Sequence, residues 1–259
     1  MEAPKKLFYF IGVKAALKYC KALVILSFLY FPAAYSQNAR IEKLLKAIDA
    51  ATADTTRAEL MNDLSYQLQG IDPVKAMDYA ESALELSAKI NYRDGKAYSL
   101  TNLANIYSNR GDYKEALEYH TMALQIRKEK GDKQGEGKSL LGIGNIYLLL
   151  GNYNKALENY LKALKINEEL KSKHDMAFCV NNIGAVYYYQ GNYPKALECW
   201  NQAVTYYEEI GEKDEIISCF NNIGNIYGEQ NQPQKALEVF REALKLSTEM
   251  GDKQSIAAA

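Results

Sequence analysis

The run GDKQGEGKS at residues 131–139 has the glycines, the lysine and the hydroxyl with which a chain can cradle a phosphate. It does not satisfy that chemistry. Gly131 and Gly137 stand one residue too far apart for a phosphate loop, and no strand-like run precedes them. The same place in later copies of a repeat reads SKHDMAF and EKDEIIS, so it is a connection carrying helix-start residues. Metal and nucleophile chemistry have equally little to work with. Only His120 and His174 are present, one at a position that is aromatic in other copies and one in a connection, and neither has metal-ligand spacing to a cysteine. After residue 36 there are three cysteines, Cys179, Cys199 and Cys219, too few for a full disulfide framework. Cys179 and Cys219 fall at one place in successive copies, as small buried apolar residues would. No nucleophile and base can be placed in one cleft, so no catalytic, cofactor or metal residue is expected and the chain is not read as an enzyme.

What recurs instead is an amide. Asn102, Asn105, Asn145, Asn181, Asn182, Asn221, Asn222 and Asn225 all fall within one kind of segment, and N-x-x-N appears at both 102–105 and 222–225. At about 100° per residue these positions lie on one side of a helix, away from its apolar face. Asparagine is a poor helix-interior residue, so a row of them needs a reason. Each offers both a donor and an acceptor, which suits a peptide backbone. Tyr98, Phe178, Tyr188 and Tyr189 flank the row. The alternative is that the amides only solvate a helix face or tie neighbouring copies together.

The elements that position this row repeat every forty residues. GDYKEALEYHTMALQI (111–126), GNYNKALENYLKALKI (151–166) and GNYPKALECWNQAVTY (191–206) are near copies. Ahead of each, an apolar residue (Leu100, Leu140, Val180, Phe220) is followed by Leu103, Ile143, Ile183 and Ile223. Then come the small Ala104, Gly144, Gly184 and Gly224, and then Tyr107, Tyr147, Tyr187 and Tyr227. This i, i+3, i+4, i+7 spacing predicts one face of a helix. Gly111, Gly151, Gly191 and Asn231 break it, and Asp112, Asn152 and Asn192 are N-cap candidates for a second helix. That helix carries Ala116, Ala156, Ala196 and Ala236, then His120, Tyr160, Trp200 and Phe240, then Ala123, Ala163, Ala203 and Ala243. Small residues let two helices approach, and large ones fill the gap to the next pair. A weaker copy runs through Leu64, Leu68, Ala76, Ala80 and Ala83. One helix pair cannot bury its own apolar face, whereas stacked copies bury each other's. Five pairs are therefore expected over 54–250, with a short amphipathic capping helix within 37–53.

The flanks differ from this array. Residues 1–36 hold five lysines against Glu2, then the apolar run ALVILSFLYFPAA (22–34) and Ala34-Tyr35-Ser36, small residues at −3 and −1 of a cut before Gln37. This is the order of a secretory signal. About 13 apolar residues are short of the roughly 20 that span a bilayer, which argues against an anchor, and the residues before Cys20 do not suit a lipoprotein site. Losing five lysines and one glutamate would move the net charge from −1 to about −5, with no basic field for nucleic acid. At the other end GDKQSIAAA (251–259) repeats the GDKQ of 131–134, which leads into a first helix. A further, truncated repeat is expected there.

The L-x-x-L/I-G/A-x-x-Y run, the G-D/N-Y turn and the A-x-x-x-aromatic-x-x-A run resemble the tetratricopeptide repeat family, over roughly 195 residues. Two features depart from the family pattern. The first large position is not Trp, and the proline that usually closes the second helix is replaced by Lys128, Glu168, Glu208 and Thr248. A second helix free to run on accounts for a period of 40 rather than 34, similar to the longer-repeat branch of kinesin light chains. The resemblance implies an all-α, right-handed superhelix whose first helices line a concave groove. It also implies that Tyr98, Asn102, Asn105, Asn145, Asn181, Asn182, Tyr188, Asn221, Asn222 and Asn225 bind an extended peptide or protein segment there. With Thr101, Leu141, Asn181 and Asn221 at the neighbouring places, the carboxylate clamp of the chaperone-binding members is not expected. The signal together with the repeats is similar to the exported part of bacterial sensor proteins. That implies a periplasmic or envelope location, with a membrane segment and a histidine kinase, nucleotide cyclase or transcription-regulator output beyond residue 259. A structural scaffold of the envelope is the alternative. Neither reading gives the oligomeric state.

Overall fold

The computed structural model describes residues 38–251. Every regular element among them is a helix. The expected signal at 1–36 and the residues after Gly251 lie outside that range. A first compact unit ends at Ile90. Among its described residues it holds α1 over 38–50, α2 (Asp54–Leu68) and α3 (Pro73–Lys89), with α2 packed on α3. The second unit starts at Asn91. It holds α4 (Arg93–Arg110), α5 (Tyr113–Lys130), α6 (Lys133–Leu149), α7 (Tyr153–Leu170), α8 (Lys173–Tyr189), α9 (Tyr193–Ile210), α10 (Lys213–Glu229) and α11 (Pro233–Met250). Each of these packs on its chain neighbours, so the second unit is an all-α solenoid of four helix pairs. With α2–α3 the described residues contain five pairs, as the forty-residue period requires.

The helix boundaries follow from local chemistry. Gly111, Gly151 and Gly191 take left-handed φ values of 83°, 69° and 72°, and Asn231 takes 56°, which lets the chain turn sharply after each first helix. The connections between pairs use the same device at Gly131 and Gly211, but the equivalent Lys171 is held at φ 55° without glycine's freedom. Asn152 and Asn192 cap α7 and α9 by accepting the backbone N–H of Lys155 and Lys195. Asp112 does not cap α5. Its carboxylate lies 3.1 Å from Arg110 Nε instead. The second helices α5, α7, α9 and α11 each run 18 residues, as the missing proline allows. His174, expected in a connection, is the second residue of α8.

Close approach holds each pair together. A methyl group on Gly144 would lie 2.5 Å from Tyr160 Cε1, one on Gly184 2.8 Å from Trp200 Nε1, and one on Gly224 2.6 Å from Phe240 Cε1. The ring of the second helix therefore rests on the bare backbone of the first. Trp200 is also fixed by its Nε1–H, which donates to the Asn181 carbonyl at 3.1 Å. The alanines at 116, 156 and 196, and those at 123, 163, 203 and 243, are fully buried. The repeat tyrosines are only half-buried, and a lysine covers the ring of three of them. Lys155, Lys195 and Lys235 Nζ sit 5.0, 5.1 and 5.4 Å from the Tyr147, Tyr187 and Tyr227 ring centroids. Start and end of a pair are also joined across the surface by Arg93–Glu129, by Lys173–Glu209 at 2.7 Å and by Lys213–Glu249 at 3.2 Å. These pairs are exposed, so each contributes at most about 1 kcal/mol.

His120 takes the ring position in the α4–α5 pair and abuts Gly142 of the next pair, where a methyl group would meet its Cε1 at 2.4 Å. It is 3% exposed and Nδ1 has no partner among the described residues. Burial, and then the nearby Arg127 charge, pushes its pKa down to about 4, so it is neutral in the folded chain.

Two outcomes follow from this packing. Gly184→Ala should lower stability by about 1–3 kcal/mol, because the new methyl must displace the indole. Gly228→Ala has nothing within 4 Å of the added carbon and should raise it by about 0.5–1 kcal/mol through helix propensity. Thermal or urea unfolding of the two variants checks the opposite signs. For His120, the folded pKa lies below the unfolded value. Its contribution is therefore present above pH 6.5 and lost as pH falls towards 4, with a slope of at most about 1.4 kcal/mol per pH unit. His120→Phe should be less sensitive to acid across that window in parallel denaturation curves.

Candidate peptide-binding face

The phosphate-loop lookalike is a helix start. Asp132 accepts the Gly135 N–H at 2.9 Å, and α6 begins at Lys133. Arg127 crosses over Gly135 to donate to Ser139 Oγ at 2.6 Å, and a methyl on Gly135 would sit 2.7 Å from Arg127 Cδ. The space a phosphate would need is filled by the chain itself. Cys179, Cys199 and Cys219 are free thiols. Burial pushes them up to about 11, 11 and 12 respectively, so little nucleophilic thiolate forms near neutral pH. Among the described residues, no group of three or more His, Cys, Asp and Glu could hold a metal ion.

The asparagine row divides into three kinds. Asn102 is fully buried and has a partner of its own, so it is withdrawn from the face: nothing bound outside can reach it. Asn145, Asn181 and Asn182 are half-buried and committed inside the chain. Tyr160 Oη donates to Asn145 Oδ1 at 2.6 Å, tying α7 to α6. Cys219 Sγ lies 3.7 Å from Asn181 Oδ1, linking α10 to α8 across two neighbouring pairs. Asn182 Nδ2 donates to its own helix at Phe178 O, 2.9 Å away. Of the three, only Asn181 reaches a neighbouring copy; Asn145 bonds within its own helix pair and Asn182 within its own helix.

Asn105, Asn222 and Asn225 are different. Asn105 and Asn222 are half-buried and Asn225 is exposed, and none makes a side-chain hydrogen bond among the described residues. Beside them Asn221 keeps a buried Oδ1 without a partner. Tyr98 is half-buried and already engaged. The amides thus remain available at the two ends of the row, on α4 and α10, and are used up on α6 and α8.

Tyr188 has a partner that the periodicity does not announce. Its hydroxyl donates to Glu229 Oε1, and Tyr193 Oη donates to Glu229 Oε2 at 2.7 Å. The hydrogen bonds from Tyr188 and then Tyr193 hold the Glu229 carboxyl below its ordinary range, and Glu229 in turn raises the Tyr188 phenol to about 12. Glu229 lies one helical turn beyond Asn225. Extending the amide row by four residues would have reached it, together with Tyr189 on α8 and Leu149 on α6.

A tetratricopeptide repeat model matches residues 65–129, 95–169 and 176–249. No curated protein sequence matches significantly. Solved structures share the architecture. BtubC (BKLC) of P. vanneervenii superposes with a TM-score of 0.68 at 21% identity, over 84% of this chain and 91% of that one. The Signal Transduction ATPase with Numerous Domains protein of Pyrococcus horikoshii, which has a tetratricopeptide repeat sensor, gives 0.72 at 22%, over 85% of this chain and 35% of that one. This chain therefore spans about a third of that protein. A Rap protein solved in complex with Competence and Sporulation Factor gives 0.69 at 19%, over 82% and 60%. At such identities the likeness is one of fold. The repeat motifs, the helix pairs that they form and the family match over most of the chain agree: this chain belongs to the tetratricopeptide repeat family.

Proposed function

We propose that the chain is an interaction scaffold that holds an extended peptide or protein segment against the first helices α4, α6, α8 and α10. The observation that carries this reading is the set of amides at Asn105, Asn222 and Asn225, which have donors and acceptors and no side-chain partner among the described residues. An extended backbone presents the matching acceptors and donors. A ligand on a related architecture supports the reading, since the Rap protein was solved with Competence and Sporulation Factor bound. A sensory role is the finer part of the proposal, supported by the ATPase in which repeats of this fold form a sensor. Export to the periplasm or cell envelope is proposed from the lysine-rich start, the short apolar run and Ala34-Tyr35-Ser36.

Export is tested by the intact mass of the secreted chain, which should begin at Gln37; a soluble product retaining Met1 contradicts it. The groove is tested by replacing Asn222 and Asn225 with Ala together. If each net hydrogen bond contributes about 0.5–1.5 kcal/mol, affinity for a captured partner should fall about 5- to 150-fold. The melting temperature should hold or rise, because neither side chain bonds to another described residue and Ala is the better helix former. Unchanged affinity at unchanged stability would remove the groove assignment at α10.

A further inference from the structure

The amide face ends on an edge of different chemistry. There α6 closes with Leu148 and Leu149, α8 with Tyr188 and Tyr189, and α10 with Glu229. Two phenol hydroxyls, from different helices, grip the two oxygens of the Glu229 carboxylate. Glu129, Glu209 and Glu249 each pair with a cation on their own helix pair. Among the described residues, no Lys, Arg or His pairs with Glu229. It is exposed, and each oxygen keeps a lone pair beyond the one its tyrosine uses.

Around that carboxylate the rings are dense. The Tyr188 ring centroid lies 5.4 Å from Tyr189, 5.9 Å from Tyr193 and 5.9 Å from Trp200. Tyr189 stacks in turn on Tyr153 at 6.3 Å and 3°. Aromatic faces carry negative potential and attract cations. On the far side of Tyr189 a cleft of about 300 Å³ is lined by Leu148, Leu149, Gly151, Tyr153 and Tyr189. Leu149 and Tyr189 are 58% and 59% exposed there, unusually bare for residues of their size.

We infer that this edge is a two-point anchor for the segment held on the amide face: Glu229 and the tyrosine rings beside it take a Lys or Arg side chain, and the cleft between Leu149 and Tyr189 takes a nearby aliphatic one. The inference rests on the groove reading and adds to it the chemistry of the partner, an extended segment with a basic residue close to an aliphatic residue. Charge complementarity selects that occupant, because the carboxylate has no cation partner among the described residues. An acidic segment would meet Glu229 and the electron-rich ring faces unfavourably. The two hydroxyls matter because they fix the carboxylate before binding, so less side-chain freedom is lost when the cation arrives. An exposed ion pair contributes up to about 1 kcal/mol, and an exposed cation–aromatic contact about 0.5–1 kcal/mol.

The test uses the full chain and two fluorescein-labelled extended peptides, identical except that one has Arg and the other has neutral, isosteric citrulline two residues before a Leu. In fluorescence anisotropy the Arg peptide should bind about fivefold more tightly, of the order expected for an exposed charge pair with aromatic support. In Glu229→Gln that ratio should fall to about twofold, the share left to the rings, with the citrulline peptide's own affinity unchanged. Equal affinities for the two peptides, a ratio that Glu229→Gln leaves unchanged, or binding of neither peptide would overturn the anchor. The groove reading is judged separately on the same peptides. If Asn222→Ala with Asn225→Ala weakens both alike while they show no Arg preference, the groove stands and the anchor falls.

Discussion

Three of the four helix pairs of the second unit, α6–α7, α8–α9 and α10–α11, depend on one contact, an aromatic ring laid on a backbone that has no side chain beneath it. Tyr160 on Gly144, Trp200 on Gly184 and Phe240 on Gly224 leave no room for a single methyl group. The ring fixes the depth at which the second helix sits, and the alanines on either side of it let the backbones come equally close along its length. With the interior so filled, the volume available to the next pair is set, and α8 contributes to the cores on both of its sides. Interiors packed at this density tolerate little change in volume. In the α4–α5 pair the ring is a histidine, and the same burial that seats it also makes its charged form costly.

That contact also decides which side of each first helix is left for other work. With one side turned to the rings, the rest of each first helix carries the amides and, at its end, the aromatic edge. The residues there are not equivalent even though they recur at equivalent places. Asn145 is pulled inward because Tyr160, alone among the ring residues, has a hydroxyl that can reach it. Trp200 makes its polar bond to the Asn181 backbone instead, and Phe240 has no polar group to offer. Asn225, at the place of Asn145, is left without a side-chain partner among the described residues for that reason. Which ring a pair uses therefore sets which amide stays available, a coupling between core and surface through one hydroxyl group.

The sequence alone determined the helices, their pairing and their order, because a forty-residue period constrains every copy by the others. Breakers at Gly111, Gly151, Gly191 and Asn231, and the small-to-large matching of Gly144 with Tyr160, could be read from spacing because steric demands repeat with the chain. The Lys–Tyr covers recur at one repeat position and were legible in principle, whereas the Arg/Lys–Glu links between the start and end of a pair skip α6–α7, where Lys133 pairs with Glu136 instead. Only the tertiary structure decided which members of the amide row face outward. Asn102 and Asn222 occupy the same repeat position, yet one is fully buried and the other is not. Hydrogen bonding depends on distances of a few tenths of an ångström, and so on the actual neighbours from other helices. The grip of Tyr188 and Tyr193 on Glu229 joins residues 41 and 36 positions apart, and among the described residues it exists in one copy only, so no repetition could have signalled it.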